Sequence, residues 1–259
     1  MEKLRQQIEQ RLSAVTGDAC FYYENLATGV CFGHAADKPV VAASVIKLAV
    51  LIEAFRQMDA DAVRANEMFV IARTDKLPSC GALNYLHDGL CVTFRDLCVL
   101  MTILSDNTAT NLLIKRLGIG NINDTLRMLG AEKMTLNRLL FDREASSRGI
   151  ENYITAREAG LLLKRLYDGE AVSGPASEDM LSILKDQRLN GKIPFLLPHS
   201  VKIAHKTGED DGITHDVGIV YARQPFIVCF CGEHVSPPKF ERAMQDITLM
   251  LYENAERIR

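Results

Sequence analysis

The chain has 259 residues, 47% of them hydrophobic, which is enough to bury a sizeable core in one domain or two closely packed lobes. Its 30 basic and 33 acidic residues leave a net charge of −3, and no Lys/Arg run interleaved with aromatics marks a surface for nucleic acid, which is therefore not an expected partner. The apolar stretch Leu48 to Ile52, like every other in the chain, is far too short for a membrane span.

In chain order, Leu4, Ile8, Leu12 and Val15 are spaced for one face of an amphipathic helix. Ala19 to Asn25 and Val30 to Phe32 read as a hairpin around Thr28-Gly29. From Ser44 to about Ile183 the period turns helical, with segments at Lys47–Phe55, Thr93–Leu104, Ala109–Leu117, Ile122–Leu129 and Thr155–Tyr167. Short β-like runs follow at Val201–Lys206, Asp216–Ala222 and Phe226–Gly232, and a helix from Phe240 to about Ile258 closes the chain. The order predicts an α+β fold: an antiparallel sheet built from both termini with flanking helices, and an inserted all-helical lobe. The expected division places 1–43 with 190–259 in the sheet lobe and 44–189 in the helical lobe, with a cleft where they meet.

Seven cysteines, an odd number with no C-x-x-C or His-linked spacing, favour reduced thiols over a disulfide framework and give no expectation of a metal. With no apolar leader segment after Met1, the sequence as it stands reads as cytoplasmic, or as exported if a signal peptide was trimmed before Met1.

Three short motifs carry the chemistry: Ser44-Val45-Ile46-Lys47, Ser105-Asp106-Asn107 and Lys206-Thr207-Gly208. The first pattern alone is weak, because Ser182-Ile183-Leu184-Lys185 and Ser236-Pro237-Pro238-Lys239 repeat it and average composition yields about one chance match per chain of this size. Order and spacing single out Ser44, since a helical lobe fits between it, the second motif and the third. A serine at a helix start gains from the positive end of the helix when charge develops on its oxygen. Lys47, three residues on, shares its face. Burial and a second cation, Lys206, would lower its pKa and free it to act as a base. Lys206 and Thr207 offer a charge and a hydroxyl suited to a carboxylate, and Gly208 permits close backbone approach. Asp106 fits a helix N-cap. Cys80, Gly81 and Tyr85 precede the second motif in a segment suited to a cleft wall, whereas Cys229 and Cys231 alternate on a strand and read as packing residues.

Together the motifs resemble those of class A β-lactamases and the related penicillin-binding proteins, from about Val40 to about Val220. The resemblance implies acylation of Ser44 by a small molecule, a β-lactam or a peptide ending in D-alanine, without a cofactor, in a monomeric protein. It implies a proton relay at Ser105, a contact from Asn107 to the substrate amide, and an oxyanion hole from the backbone N–H groups of Ser44 and Glu209. Glu209 departs from the small or neutral residue usual there, and its carboxylate is expected to repel anionic substrates. Water-driven deacylation in the family uses a loop glutamate, and Glu144 beside Arg143 is the best match, with Glu151 second. Positions carrying a cysteine pair in some relatives are Leu51 and Cys98 here, so that bridge is not expected. His215 and Asp216 match a strand start rather than a triad. The nearest alternatives are a penicillin-binding or D-alanyl-D-alanine peptidase-like enzyme with slow deacylation and another intracellular amide or ester hydrolase; a non-catalytic binder of cell-wall fragments comes third.

Overall fold

A computed structural model describes residues 2–257. Its first elements are α1 (Glu2–Ser13), β1 (Asp18–Asn25), β2 (Cys31–His34) and β3 (Val40–Val41). A 3-10 turn, Ala43–Ile46, runs into α2 (Lys47–Asp59). Then come β4 (Met68–Ile71), β5 (Leu90–Thr93), α3 (Phe94–Ile103), α4 (Asn107–Leu117), α5 (Ile119–Met128), α6 (Arg143–Ser147) and β6 (Tyr153–Ile154). The chain ends with α7 (Ala156–Tyr167), α8 (Gly174–Lys185), β7 (Ile203–Asp210), β8 (Ile213–Val220), β9 (Phe226–Glu233) and α9 (Pro237–Arg257). The last residue expected in that helix, Ile258, lies outside the described residues.

Five strands form one antiparallel sheet in the order β2-β1-β9-β8-β7, so strands from the two ends of the chain meet at the β1–β9 pair. Alternation along the strands assigns its two faces. Phe226, Val228 and Phe230 of β9, with Phe21 and Tyr23 of β1, pack with Ile8 and Leu12 of α1 and Phe240, Met244 and Ile247 of α9. The intervening Ile227, Cys229 and Cys231, with Cys20 and Tyr22, join the larger core that continues through α2, α3, α7 and α8. The fold is thus the expected α+β arrangement, a terminal sheet with flanking helices and an inserted helical lobe. All seven cysteines are free thiols.

Three details differ from the sequence reading. Two ribbons, β3–β6 and β4–β5, accompany the helices, too short for a period-two pattern to register. α8 begins after the N-cap Ser173, whose hydroxyl accepts from the Ala176 amide, and has Pro175 in its first turn. Ser182 lies inside this helix, and Ser236 just before α9. β7 starts at Ile203 and runs on to Asp210 through the third motif, because Lys206, Thr207 and Gly208 all pair with β8, opposite Val217, Asp216 and His215. Polar and glycine residues there hide the strand from a hydropathy pattern.

α7 lies flat on the sheet because Gly160 has no side chain. A Cβ there would come within 2.5 Å of the Tyr22 ring, which Arg157 covers from the same helix at 5.2 Å. Gly160→Ala is therefore expected to lower unfolding free energy by about 1–3 kcal/mol despite alanine's better helix propensity, measured by urea denaturation; a stabilised variant would refute this packing account.

Candidate active site

The three motifs converge where β7 meets the start of α2. Ala43 is held at φ 41° immediately before Ser44, an uncommon conformation for a residue with a side chain, and the 3-10 turn it opens presents Ser44 at the N-terminal end of a continuous helical stretch. Ser44 lines a cleft of about 430 Å³ together with Asn107, Cys80 and Glu209. β7 is an edge strand, bonded on one side only to β8, so its other backbone edge is open. Gly208 brings that strand against the nucleophile turn: a Cβ on it would lie 3.2 Å from the Ser44 amide nitrogen and 3.3 Å from the Ala43 methyl.

Behind the cleft, two buried lysines share one hydroxyl. Lys47 Nζ donates to the Ser105 carbonyl at 2.7 Å and to Asn107 Oδ1 at 2.9 Å, and lies 2.9 Å from Ser105 Oγ. Lys206 Nζ lies 3.1 Å from the same Ser105 Oγ and donates to the Thr207 carbonyl at 2.9 Å. Ser105 sits at φ 54°, which turns both its carbonyl and its hydroxyl onto Lys47. Burial, and after it the Lys206 charge, hold Lys47 well below the ordinary lysine range. Burial also pushes Lys206 down to about 7, against the raising pull of Asp216. An amine relieved of its proton, next to a hydroxyl that also touches a second amine, can accept and relay protons near neutral pH.

Asp106 is structural. Its Oδ1 caps α4 by accepting from the Ala109 amide at 2.9 Å, and its Oδ2 accepts from the amides of Ala82 and Leu83, tying down the segment whose Ser79 and Cys80 line the cleft. Tyr85 is exposed and outside the lining; the apolar wall comes from Leu140, Phe141 and Val41.

The two loop glutamates separate. Glu144 is not in the cleft: its side chain is 85% exposed and points toward Arg148, four residues on. Glu151 lines the cleft, where Ser146 Oγ donates to its Oε1 at 2.5 Å and the Arg138 guanidinium pairs with its Oε2. The geometry of α6 is the reason. Arg143 and Ser146, three apart, take the cleft side, which leaves Glu144 and Arg148 on the solvent side.

Lys192 was not visible in the sequence reading. It is buried, 4% exposed, beneath the start of the β7–β8 hairpin, and its Nζ lies 2.8 Å from Glu209 Oε1 and 3.2 Å from the His215 carbonyl. The Glu209 carboxylate, expected to stand bare at the rim, is ion-paired. Only the departure at Glu209 hinted at a counter-cation, and nothing in its neighbours pointed to Asn190-Gly191-Lys192. His215 is pushed down to about 4 by burial; its Nε2–H donates to the Val41 carbonyl at 2.8 Å, and its Nδ1 accepts from the Gly232 amide. Asp216 bonds His205 Nδ1 and the Ile193 amide instead, so no His215–Asp216 couple exists. Among the described residues, Asp18, Glu233 and His234 stand close enough to share a cation, but none lines the cleft, and Lys38 already bonds Asp18.

The depressed lysines set a sign for stability against pH. Between about 7 and 10.5 the unfolded chain holds a proton on Lys206 that the folded chain lacks, so stability rises with pH across that window, by up to about 1.4 kcal/mol per unit. Above about pH 9 the buried thiols Cys98, Cys229 and Cys231, whose pKa values burial raises, act in the opposite direction. Denaturation midpoints from pH 7 to 8.5 are expected to climb more steeply for the wild type than for Lys206→Met, and equal slopes would overturn the assignment.

A family model described as the beta-lactamase enzyme family matches residues 3–255. A curated beta-lactamase from Streptomyces fradiae is 27% identical over 237 residues, covering 85% of this chain and 76% of that protein. Among solved structures, a beta-lactamase from Sphaerobacter thermophilus superposes with a TM-score of 0.92 at 29% identity, over 100% of this chain and 98% of that one. PBP-A superposes at 0.90 with 27% identity, over 100% and 97%. A substituted PBP-A, solved as an acyl-enzyme complex with penicillin G, gives 0.90 at 26%, over 100% and 98%. With nearly its whole length matched and the three motifs gathered at one cleft, the chain belongs to the beta-lactamase enzyme family.

Proposed function

We propose that the protein is a serine hydrolase that opens β-lactams through an acyl-enzyme on Ser44. The observation that carries this reading is the Lys47–Ser105–Lys206 arrangement, with Ser105 Oγ 2.9 and 3.1 Å from the two amines. Neutral Lys47 takes the proton of Ser44 Oγ as that oxygen attacks the lactam carbonyl. The resulting oxyanion is held by the amides of Ser44 and Glu209, a reading supported by the close approach of Gly208 to the Ser44 amide. As the C–N bond breaks, Ser105 passes a proton to the leaving nitrogen, leaving an ester on Ser44. Lys206 as the cation and Thr207 receive the substrate carboxylate, and Asn107 contacts the acyl amide. The PBP-A acyl-enzyme with penicillin G, a relative at 26% identity, supports this step. Water then hydrolyses the ester with Glu151 as base. A carboxylate has about four lone-pair sites, so one remains for water beside Arg138 and Ser146.

The second reading is a penicillin-binding enzyme that deacylates slowly. The observation favouring it is that both Glu151 oxygens are already engaged while Glu144 points away.

Intact-protein mass spectrometry over time with benzylpenicillin separates the two. The wild type is expected to show an adduct that decays as drug is consumed, Ser44→Ala none, and Glu151→Gln one that persists roughly 100-fold longer or more. Glu144→Gln is expected to behave as wild type. A persistent wild-type adduct selects the slow reading, and no adduct removes both.

A further inference from the structure

Of the cleft charges, Arg138 is paired with Glu151 and Glu209 with Lys192. Asp142, Asp210 and Arg143 have no ion pair among the described residues, and Asp142 is turned into α6 as its cap, which leaves Asp210 and Arg143, of opposite sign. Asp210 ends β7, and strand alternation puts it on the side of Lys206, which reaches Ser105, and Gly208, which abuts the Ser44 amide. Its Oδ1 accepts only from the backbone amide of Asp211, at 2.8 Å. Arg143 opens α6 and lines the same cleft, and its guanidinium has no ion pair or hydrogen bond among the described residues. Both line the same cleft and are not joined by an ion pair, which leaves each charge available to a ligand bound there.

Their position relative to the chemistry follows from the strand. Lys206 lies about 7 Å before Gly208, and Asp210 about 7 Å beyond it. With Lys206 on the carboxylate of the leaving side, Asp210 lies past the scissile bond on the acyl side. We infer that the acyl side of this cleft selects acyl groups ending in an amino-acid zwitterion, ammonium toward Asp210 and carboxylate toward Arg143. The inference deepens the acylation reading and rests on it. Contacts this exposed are worth about fivefold in rate per charge.

The test uses four cephalosporins with one nucleus: a 7-acyl group ending in a free α-amino acid, its N-acetyl derivative, its side-chain methyl ester, and the doubly blocked form. Rates of Ser44 acylation are read by mass spectrometry at low salt. The zwitterion is expected to react fastest, each singly blocked form about fivefold slower, and the doubly blocked form slowest. Asp210→Asn is expected to erase the ratio between free and acetylated amine, and Arg143→Gln the ratio between acid and ester; each leaves the other ratio standing. Equal rates for all four compounds, a preference for one charge alone, or variants that scale every rate by one factor would overturn this inference while leaving acylation intact. Absence of any Ser44 adduct would overturn the acylation reading, and this one with it.

Discussion

Two ammonium groups cannot both remain charged when buried against one hydroxyl, and the site is organised around that constraint. Lys47 and Lys206 both bond Ser105 Oγ, and each is fully enclosed. Desolvation lowers the proton affinity of both, and the Lys206 charge acts in the same direction on Lys47, so Lys47 is the one favoured to lose its proton. The fold supplies the enclosure by bringing together three distant pieces of chain: the first turn of α2, the turn before α4, and the edge strand β7. None of the three is relaxed or self-sufficient. Ala43 and Ser105 hold left-handed backbone, at a cost on the order of 1 kcal/mol each, and β7 must be glycine at its point of contact. A site that holds depressed lysines in strained turns trades stability for chemistry.

The same enclosure explains the residues around it. Lys192 neutralises Glu209 from beneath the hairpin while bonding the Gly208 and His215 carbonyls, so the strand that carries the third motif is anchored by a cation of its own. His215 remains neutral because its ring is wholly buried, and it ties β8 to the Val41 carbonyl just before the nucleophile turn. The contacts of these groups fix where β7 lies. Asp106 does the equivalent for the opposite wall, with three backbone amides on one carboxylate.

How much of this was legible in the sequence depends on the range of each signal. Motif residues Ser44, Lys47, Ser105, Asn107 and Lys206 were legible because each has a distinctive residue type at a distinctive spacing, and the structure gathers them in one cleft or directly behind it. The sheet was legible from alternation in β9, where Phe226, Val228 and Phe230 face one core and Ile227, Cys229 and Cys231 the other. The extent of β7 was not, since its final residues are held by ladder hydrogen bonds to β8 rather than by apolar burial. Lys192 was hidden because its partner is a non-local one, and a lone lysine after Asn-Gly reads as a solvated turn.

The loop between Arg138 and Asn152 shows why residue identity alone does not tell which carboxylate faces the cleft. Arg143-Glu144 matches the family's local wording, yet Asp142 caps a helical turn there, and a helix sends adjacent residues in different directions. Arg143 and Ser146 turn inward; Glu144 turns out. Glu151 lies past the helix, in the extended segment leading to β6, where the Asn152 side-chain oxygen accepts from the Asn137 and Arg138 amides and its backbone carbonyl accepts from the Ala42 amide. That last bond ties the loop to the residue two before Ser44. The position of Glu151 is therefore set by the same backbone that sets the nucleophile, whereas Glu144 hangs on a short helix free to present any side chain to water. Of the two carboxylates, the one coupled by backbone to the nucleophile turn is the one that lines the cleft.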